Sequence, residues 1–151
     1  MSPEVASAIK ACLSAAPGFE QLRDDVEALG FFETGRQGED VRWTHADGHV
    51  VLLSYTASQA TCSVWFDGEY EVEASELTGL LTGDGYEAKS HTDQFGTAWT
   101  IGSGRFMRLV TKEEAKPGFG AGARKLAENL CLVTKRGYKQ RLGAALFVQR
   151  D

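Results

Sequence analysis

Apolar residues recur along the chain with two different periods, and each period indicates a different kind of element. Spacings of three and four residues, which place apolar side chains on one face of a helix, occur over residues 5–13, 19–29, 77–81 and 126–133. Strict alternation, which is typical of a strand, occurs over residues 60–66. The pattern therefore predicts an α+β chain in which helices precede groups of strands.

Short turn signals divide the remaining apolar stretches into hairpins. Asp47-Gly48 is a strong signal for a tight turn between two strands, and Gly102-Ser103-Gly104 lies between two further apolar runs. The strands predicted in this way cover residues 41–45, 49–56, 60–66, 97–101 and 105–111. Their order predicts a mainly antiparallel sheet of about five strands with the helices packed on one face.

Three further stretches lack a decisive pattern. Residues 34–40 and 84–95 are polar and are predicted to be loops. Residues 142–148 are almost all apolar. Such a run is compatible with either a last strand or a packed tail, because periodicity does not separate the two.

Residues 18–56 and 74–111 share one order of signals: a helix, a glycine followed by an aromatic residue, a loop and a tryptophan-containing hairpin. The first copy contains Leu22, Val26, Gly30, Phe31, Trp43, Thr44, Gly48 and Leu53, and the second contains Leu77, Leu81, Gly85, Tyr86, Trp99, Thr100, Gly104 and Leu109 at corresponding positions. Units that recur at such a spacing are typical of internal repeats. We therefore predict one domain over residues 1–151, built from two α-β-β units and ending in a basic C-terminal helix and tail at 112–151.

Charge is distributed unevenly between the two ends of the chain. The net charge is −5, but residues 1–104 carry 5 basic and 17 acidic side chains, a net of −12, whereas residues 105–151 carry 11 basic and 4 acidic ones, a net of +7. Such a split favours contact between oppositely charged surfaces, either within one chain or across a homodimer. Nucleic-acid binding through the basic end is less favoured, because the acidic remainder would repel a polyanion.

The cysteines and the apolar runs bear on location. Cys12, Cys62 and Cys131 are odd in number and far apart in sequence, which favours reduced thiols in a cytoplasmic protein over a disulfide framework. No apolar run approaches the roughly 20 residues that a membrane-spanning helix needs. The residues after Met1 lack the pattern of a secretory signal. We therefore expect no membrane contact.

Two groups of residues are candidates for ligand binding. His45 and His49 flank Asp47 at a predicted hairpin end, but they supply only part of a metal-ligand set. The glycine-rich stretch before the last predicted helix could expose backbone N–H groups to an anion. The residues of this candidate anion site are Gly118, Gly120, Gly122, Arg124 and Lys125. The stretch matches neither a P-loop nor the dinucleotide fingerprint, so a flexible lead-in to the helix is favoured.

Catalytic signatures are missing from the sequence: no cysteine, serine or histidine stands in a nucleophile pattern. The sequence therefore favours a non-enzymatic protein-interaction module that needs no cofactor, forms a homodimer and binds a segment of a partner protein. Two alternatives stay open. One is a small-ligand or anion-binding protein, or an enzyme, that uses residues 118–125. The other is a nucleic-acid-binding protein that uses the basic C-terminal third.

The predicted order of elements is a first helix followed by a helix, three strands, a helix, two strands and a helix. From about Phe19 to Val133 this order resembles the class I type III secretion chaperone fold, which also occurs in small bacterial proteins. The resemblance is one of element order, size and acidic balance, and it transfers no functional residue. It implies a chaperone-like homodimer that binds an extended segment of another protein and uses no nucleotide.

Overall fold

The structure, a computed structural model, describes residues 1–67, 70–93, 96–102, 104–110 and 142–150. Within these ranges the helices are α1 (Pro3–Ala15), α2 (Leu22–Ala28) and α3 (Ala74–Gly83). The strands are β1 (Phe31–Gln37), β2 (Asp40–His45), β3 (Val50–Tyr55), β4 (Gln59–Trp65), β5 (Lys89–Asp93), β6 (Gly96–Gly102), β7 (Arg105–Val110) and β8 (Gly143–Gln149). The last predicted helix, which contains the apolar spacing at 126–133, lies outside the described residues.

The eight described strands form one antiparallel sheet in the order β1-β2-β3-β4-β8-β7-β6-β5. This confirms the α+β class, whereas the predicted count of about five strands is wrong. The order has a symmetry about its centre, because β4 to β1 run outward on one side and β8 to β5 run outward on the other. The sheet therefore consists of two four-stranded halves, which are joined where β4 pairs with β8.

The sequence pattern missed β1 and β5 and left β8 undecided, and the reason differs between the edges and the centre. β1 and β5 lie at the two edges, where mostly polar and exposed side chains hide the alternation that marks a strand. β8 lies at the centre, and all its residues except the last are buried, so its sequence is apolar throughout. The run at 142–148, which the sequence left open between a strand and a packed tail, is thus a strand. The predicted basic helix of the C-terminal stretch lies outside the described residues.

The described helices cover one face of the sheet. Val5 and Ile9 of α1 are fully buried and belong to the same core cluster as Val64 of β4 and Leu146 of β8. Helix α1 begins where the Ser2 side chain accepts a hydrogen bond from the backbone N–H of Val5 at 3.3 Å. A capping hydroxyl followed by proline at the first helical position is a common way for a helix to begin, and the apolar spacing over residues 5–13 predicted this helix.

Two tryptophans occupy corresponding strands on the helix-covered face. Trp43 in β2 and Trp99 in β6 are both buried. The indole N–H of Trp99 donates to Thr78 Oγ1 on α3 at 2.9 Å. The indole Nε1 of Trp43 is buried and makes no hydrogen bond to any described residue. The corresponding tryptophans of the two halves therefore differ, because a hydrogen bond to a helix holds Trp99 and none among the described residues holds Trp43.

A disulfide joins α1 to the sheet. Cys12 is bonded to Cys62 of β4, the two Cα atoms are 5.6 Å apart, and both residues are buried. The prediction of reduced thiols is therefore wrong for these two residues, because the fold brings together cysteines that are 50 residues apart in sequence. Disulfides persist mainly in oxidising compartments. The predicted cytoplasmic location is therefore no longer supported by reduced thiols at Cys12 and Cys62. Cys131 lies outside the described residues.

The other face of the sheet carries a second apolar cluster, separate from the helix-covered core. Its buried members are Val50, Trp65, Ala145 and Phe147, and Leu52 and Phe106 pack against them. We call these six residues the opposite-face cluster. It arises from the alternation of β4, which directs Cys62 and Val64 towards the helices and Trp65 to the other side.

Candidate interaction surface at the β1 edge

Strand β1 forms one edge of the sheet, and β2 is the only described strand that pairs with it. Its residues after Phe31 are exposed or half-buried. The open side of an edge strand presents a row of backbone N–H and C=O groups that another extended chain can pair with. β1 is therefore a place where the sheet can grow by one strand.

Phe32 gives this edge an apolar contact point. Its side chain is 55% exposed, and among the described residues Met1 is the only other large apolar residue that is exposed. Phe31 is buried in the helix-covered core, so alternation places Phe32 on the opposite face. In the register Phe32 lies beside Thr44, and Thr44 lies beside Val50. Phe32, Thr44 and Val50 therefore form a row across three strands. Phe32 lies at the edge of the sheet, and Val50 belongs to the opposite-face cluster.

Charged side chains border Phe32 along β1. Glu33 accepts a hydrogen bond from Arg36 at 2.7 Å and another from Arg23 of α2 at 3.1 Å. The hydrogen bond from Arg36 lowers the pKa of the Glu33 carboxyl. The ion pair is therefore fully formed above the ordinary pKa of glutamate, and it is lost as pH falls through the lowered value. Because these side chains are exposed, the pair positions β1 against α2 more than it stabilises the fold.

A β-bulge limits how far β1 can extend the sheet. The register shifts between Glu33 and Gly35. At this point the Thr34 hydroxyl lies 2.8 Å from the Thr44 hydroxyl and accepts a hydrogen bond from Arg42 Nε at 3.2 Å. A bulge raises the local twist and interrupts regular pairing. The regular part of the open edge is therefore short and contains Phe32.

The second edge of the sheet, β5, differs from β1 in its side chains. Lys89, Ser90, His91 and Thr92 are all polar and exposed. Such a strand offers backbone groups to an incoming segment but no large apolar side chain for it to pack against. Of the two edges, β1 is thus the better candidate for binding.

The two histidines predicted as partial metal ligands are held by separate hydrogen bonds. His45 Nδ1 accepts from the backbone N–H of Asp47 at 3.1 Å, and its ring lies 5.1 Å from that of Phe31. His49 is buried, and its Nδ1 accepts from the backbone N–H of Asp67 at 3.0 Å. In the part of the chain that the structure describes, no group of three or more His, Cys, Asp and Glu side chains is placed to hold a metal ion.

The candidate anion site and most of the basic C-terminal third lie outside the described residues. The residues concerned include Gly118, Gly120, Gly122, Arg124 and Lys125. Phe32 is not among the candidate residues that the sequence pattern indicates, because the polar run at 34–40 predicts a loop there. The adjacent pair Phe31-Phe32 is a sequence signal that could have indicated an exposed aromatic side chain. Adjacent residues of a strand face opposite sides, so only one of the two can enter the same core.

Comparisons with known proteins identify no relative of this chain. No protein-family model, no curated protein and no solved structure matches the chain. The resemblance to class I type III secretion chaperones therefore stays a prediction. Among the described helices, none is long and apolar enough to cross a membrane.

Proposed function

We propose that the chain is a non-enzymatic protein-interaction module that binds an extended segment of a partner protein by adding it to the sheet at β1. The observation that carries this proposal is Phe32, a large apolar side chain that is 55% exposed on an edge strand. Strand addition uses the backbone groups of the edge for affinity and the side chains beside it for selectivity. A chaperone-like role for an exported or unfolded partner would be one form of this activity.

The contacts at β1 define the segment that fits. Backbone groups of the incoming strand pair with those of β1, and an apolar side chain of the segment covers Phe32. Burial of a Phe side chain contributes about 1.5–3 kcal/mol, of which the exposed half of Phe32 supplies on the order of 1 kcal/mol. Glu33 is the next residue of β1 and lies on the helix-covered face with Arg23 and Arg36, so polar or charged residues are favoured on that face of the segment. Recognition of this kind makes and breaks no covalent bond.

A second copy of the chain is the partner that we propose for the isolated protein. Antiparallel pairing of two β1 strands about a two-fold axis would continue the sheet of one copy into the other and bring the two Phe32 side chains near each other. A homodimer of this form would be in competition with any other segment that binds to β1. Dimerisation and partner binding are thus expected to respond to the same substitutions.

The symmetry of the strand order supports an internal repeat as the origin of the two halves. Gly30 and Gly85 follow α2 and α3 with φ of 95° and 85°, and Trp43 and Trp99 lie on corresponding strands. We propose that residues 18–56 and 74–111 are duplicated units whose edges later became different.

The substitution Phe32→Lys tests the proposal through self-association. We expect the wild-type chain to dimerise in sedimentation equilibrium and the Phe32→Lys chain to be monomeric at the same concentration, because a lysine on an edge strand opposes pairing. The matched control is Thr92→Lys, which places the same charge on the β5 edge and should leave the dimer intact. A dimer that persists in Phe32→Lys would overturn the proposed contact.

Panning of a displayed library of random peptides tests segment binding directly. The immobilised wild-type and Thr92→Lys chains should enrich peptides with alternating apolar residues, and the Phe32→Lys chain should not. The proposal fails if the wild-type chain enriches no such peptides, or if enrichment is the same for all three chains.

The two alternative functions have their own measurements. Anion binding at residues 118–125 predicts that inorganic phosphate raises the melting temperature, since a ligand that binds only the folded state stabilises it. Nucleic-acid binding through the basic C-terminal third predicts a retarded band at low salt that disappears steeply as salt is added. Either result would count against a role limited to protein segments.

A further inference from the structure

Positive charge is concentrated at the β1 edge, although residues 1–104 as a whole are strongly acidic. These residues contain only five basic side chains, which are Lys10, Arg23, Arg36, Arg42 and Lys89. Arg23 of α2 and Arg36 of β1 both donate to the carboxylate of Glu33, and Arg42 of β2 is paired with Gly35 of β1 in the register. Among the described residues, the three guanidinium groups at this edge thus share one carboxylate, and no carboxylate forms an ion pair with Arg42.

Arg42 lies on the same face of the sheet as Phe32. Its neighbours in β2, Val41 and Trp43, are buried in the helix-covered core, so alternation places Arg42 on the opposite face. Phe32 is paired with Thr44, which is the next residue of β2 on that face after Arg42. The guanidinium group and the exposed phenyl ring therefore occupy successive positions on one face of the edge.

The guanidinium group of Arg42 reaches over β1 towards the open edge, because Gly35 has no side chain. A Cβ atom placed on Gly35 would lie 3.2 Å from Arg42 Nη2. Arg42 Nη2 donates to the carbonyl oxygen of Thr34 at 3.2 Å, and Arg42 Nε donates to the Thr34 hydroxyl at 3.2 Å. A guanidinium group has more N–H donors than these contacts use, and the Arg42 side chain is exposed. Donors therefore remain for an acceptor that arrives at the edge.

We propose that the β1 edge selects acidic segments, in which one apolar side chain covers Phe32 and the carboxylate of an Asp or Glu residue binds Arg42. This inference rests on the proposed strand addition at β1 and adds the charge of the partner. A carboxylate can accept two parallel hydrogen bonds from a guanidinium group, whose planar fork matches its geometry. Because Phe32 and Arg42 lie on one face, the apolar and the acidic residue lie on one face of the segment as well.

A second copy of the chain does not offer this carboxylate. On the Phe32 face its β1 strand carries Thr34 and Gly35. Glu33 is paired with Trp43 and therefore lies on the helix-covered face. An acidic segment of another protein should thus bind more tightly than a second copy and displace it from β1.

Fluorescence anisotropy with labelled synthetic peptides tests the charge preference. The acidic peptide is a threonine-rich strand with one leucine and one glutamate at successive positions of the same face, and the basic peptide has lysine in place of glutamate. Both peptides are made with the leucine before and after the charged residue, so that either strand direction is covered. We expect the wild-type chain to bind the acidic peptide about fivefold more tightly at low salt, as for an exposed ion pair, and the difference to shrink as salt is added.

Substitutions of Arg42 assign the preference to one side chain. Arg42→Gln should bind the acidic and the basic peptide equally, and Arg42→Glu should prefer the basic one. The matched control is Lys10→Gln, which removes the same charge from α1 and should keep the preference of the wild-type chain. Circular dichroism shows whether each variant is folded. If an Arg42 variant is unfolded, the comparison of the two peptides on the wild-type chain decides.

Failure of the charge selection can be told apart from failure of the strand addition. If the wild-type chain binds both peptides equally and Phe32→Lys binds neither, the charge selection is overturned and the proposed function stands. If the wild-type chain binds neither peptide, the proposed function is overturned together with the selection. A preference that Lys10→Gln loses to the same extent as Arg42→Gln would arise from overall charge, and it would also overturn the role of Arg42.

Discussion

The disulfide between Cys12 and Cys62 makes the stability of the protein depend on reducing conditions. The bond closes a loop of 50 residues. In the chain-entropy account, closing such a loop removes conformations from the unfolded state and stabilises the fold by about 4 kcal/mol. Both residues are buried, and two reduced thiols in the same place would pack as small apolar groups. We therefore expect the reduced protein to keep its fold while its free energy of unfolding falls by about that amount.

Urea unfolding followed by tryptophan fluorescence measures this difference with and without a phosphine reductant. The reductant should also raise the denaturant dependence, because the unfolded chain exposes more surface once the loop is open. Alkylation of the denatured chain should label one thiol before reduction and three after it, as expected for one bond among three cysteines.

Two variants complete the experiment. The double variant Cys12→Ala and Cys62→Ala should be insensitive to reductant, whereas Cys131→Ala should keep the full sensitivity of the wild-type protein. Loss of sensitivity in Cys131→Ala would show that the bond forms between other partners. Equal unfolding free energies with and without reductant, with one free thiol labelled in the untreated chain, would refute a contribution of about 4 kcal/mol from the disulfide.

Three further substitutions, one in β8 and two in α3, probe packing and hydrogen bonding. The free energy of unfolding of each variant is measured by urea unfolding. Gly143→Ala places a Cβ 2.2 Å from a ring carbon of Trp65 and should destabilise the fold by about 1–3 kcal/mol. Thr78→Val removes the acceptor of the Trp99 indole N–H and should cost about 1–3 kcal/mol, since a buried donor is left unpaired. Gly79→Ala adds a methyl group in a helix with no atom within 4 Å, and it should stabilise the fold by about 0.5–1 kcal/mol.

The glycine substitutions control each other, because the same methyl group is added at a crowded and at an open position. Equal effects of Gly143→Ala and Gly79→Ala would contradict the packing of Trp65 over β8. For the indole hydrogen bond the control is Thr78→Ser, which keeps the hydroxyl group and should be close to the wild-type stability. A Thr78→Val chain as stable as Thr78→Ser would show that the hydrogen bond contributes little.

Turn chemistry and helix signals allowed the two tryptophan-containing hairpins and the first helix to be predicted from the sequence. Asp47-Gly48 lies between β2 and β3 with φ of 90° at Gly48, and α1 starts after Ser2. These features depend on a few neighbouring residues, such as a glycine that takes a positive φ or a hydroxyl that caps a helix. Local sequence therefore carries enough information to place them.

The sheet edges, the disulfide and the exposed aromatic side chain depend on contacts that are distant in sequence. β1 was hidden by its polar side chains, and its role follows only from its position at the end of the strand order. The pairing of Cys12 with Cys62 follows from the docking of α1 on β4. Phe32 becomes a candidate site only when its exposure is known. Spacing along the chain gives none of these, because each is a property of the assembled sheet.

The position of β8 has a consequence for synthesis on the ribosome. β8 is the last of the described strands in sequence order, yet it lies between β4 and β7 at the centre of the sheet. While the preceding residues emerge, β4 and β7 each have an unfilled side, and both are strands with buried, apolar residues. Such nascent halves could pair with the halves of other chains, so the interval before β8 emerges is when this protein most needs protection from neighbouring nascent chains.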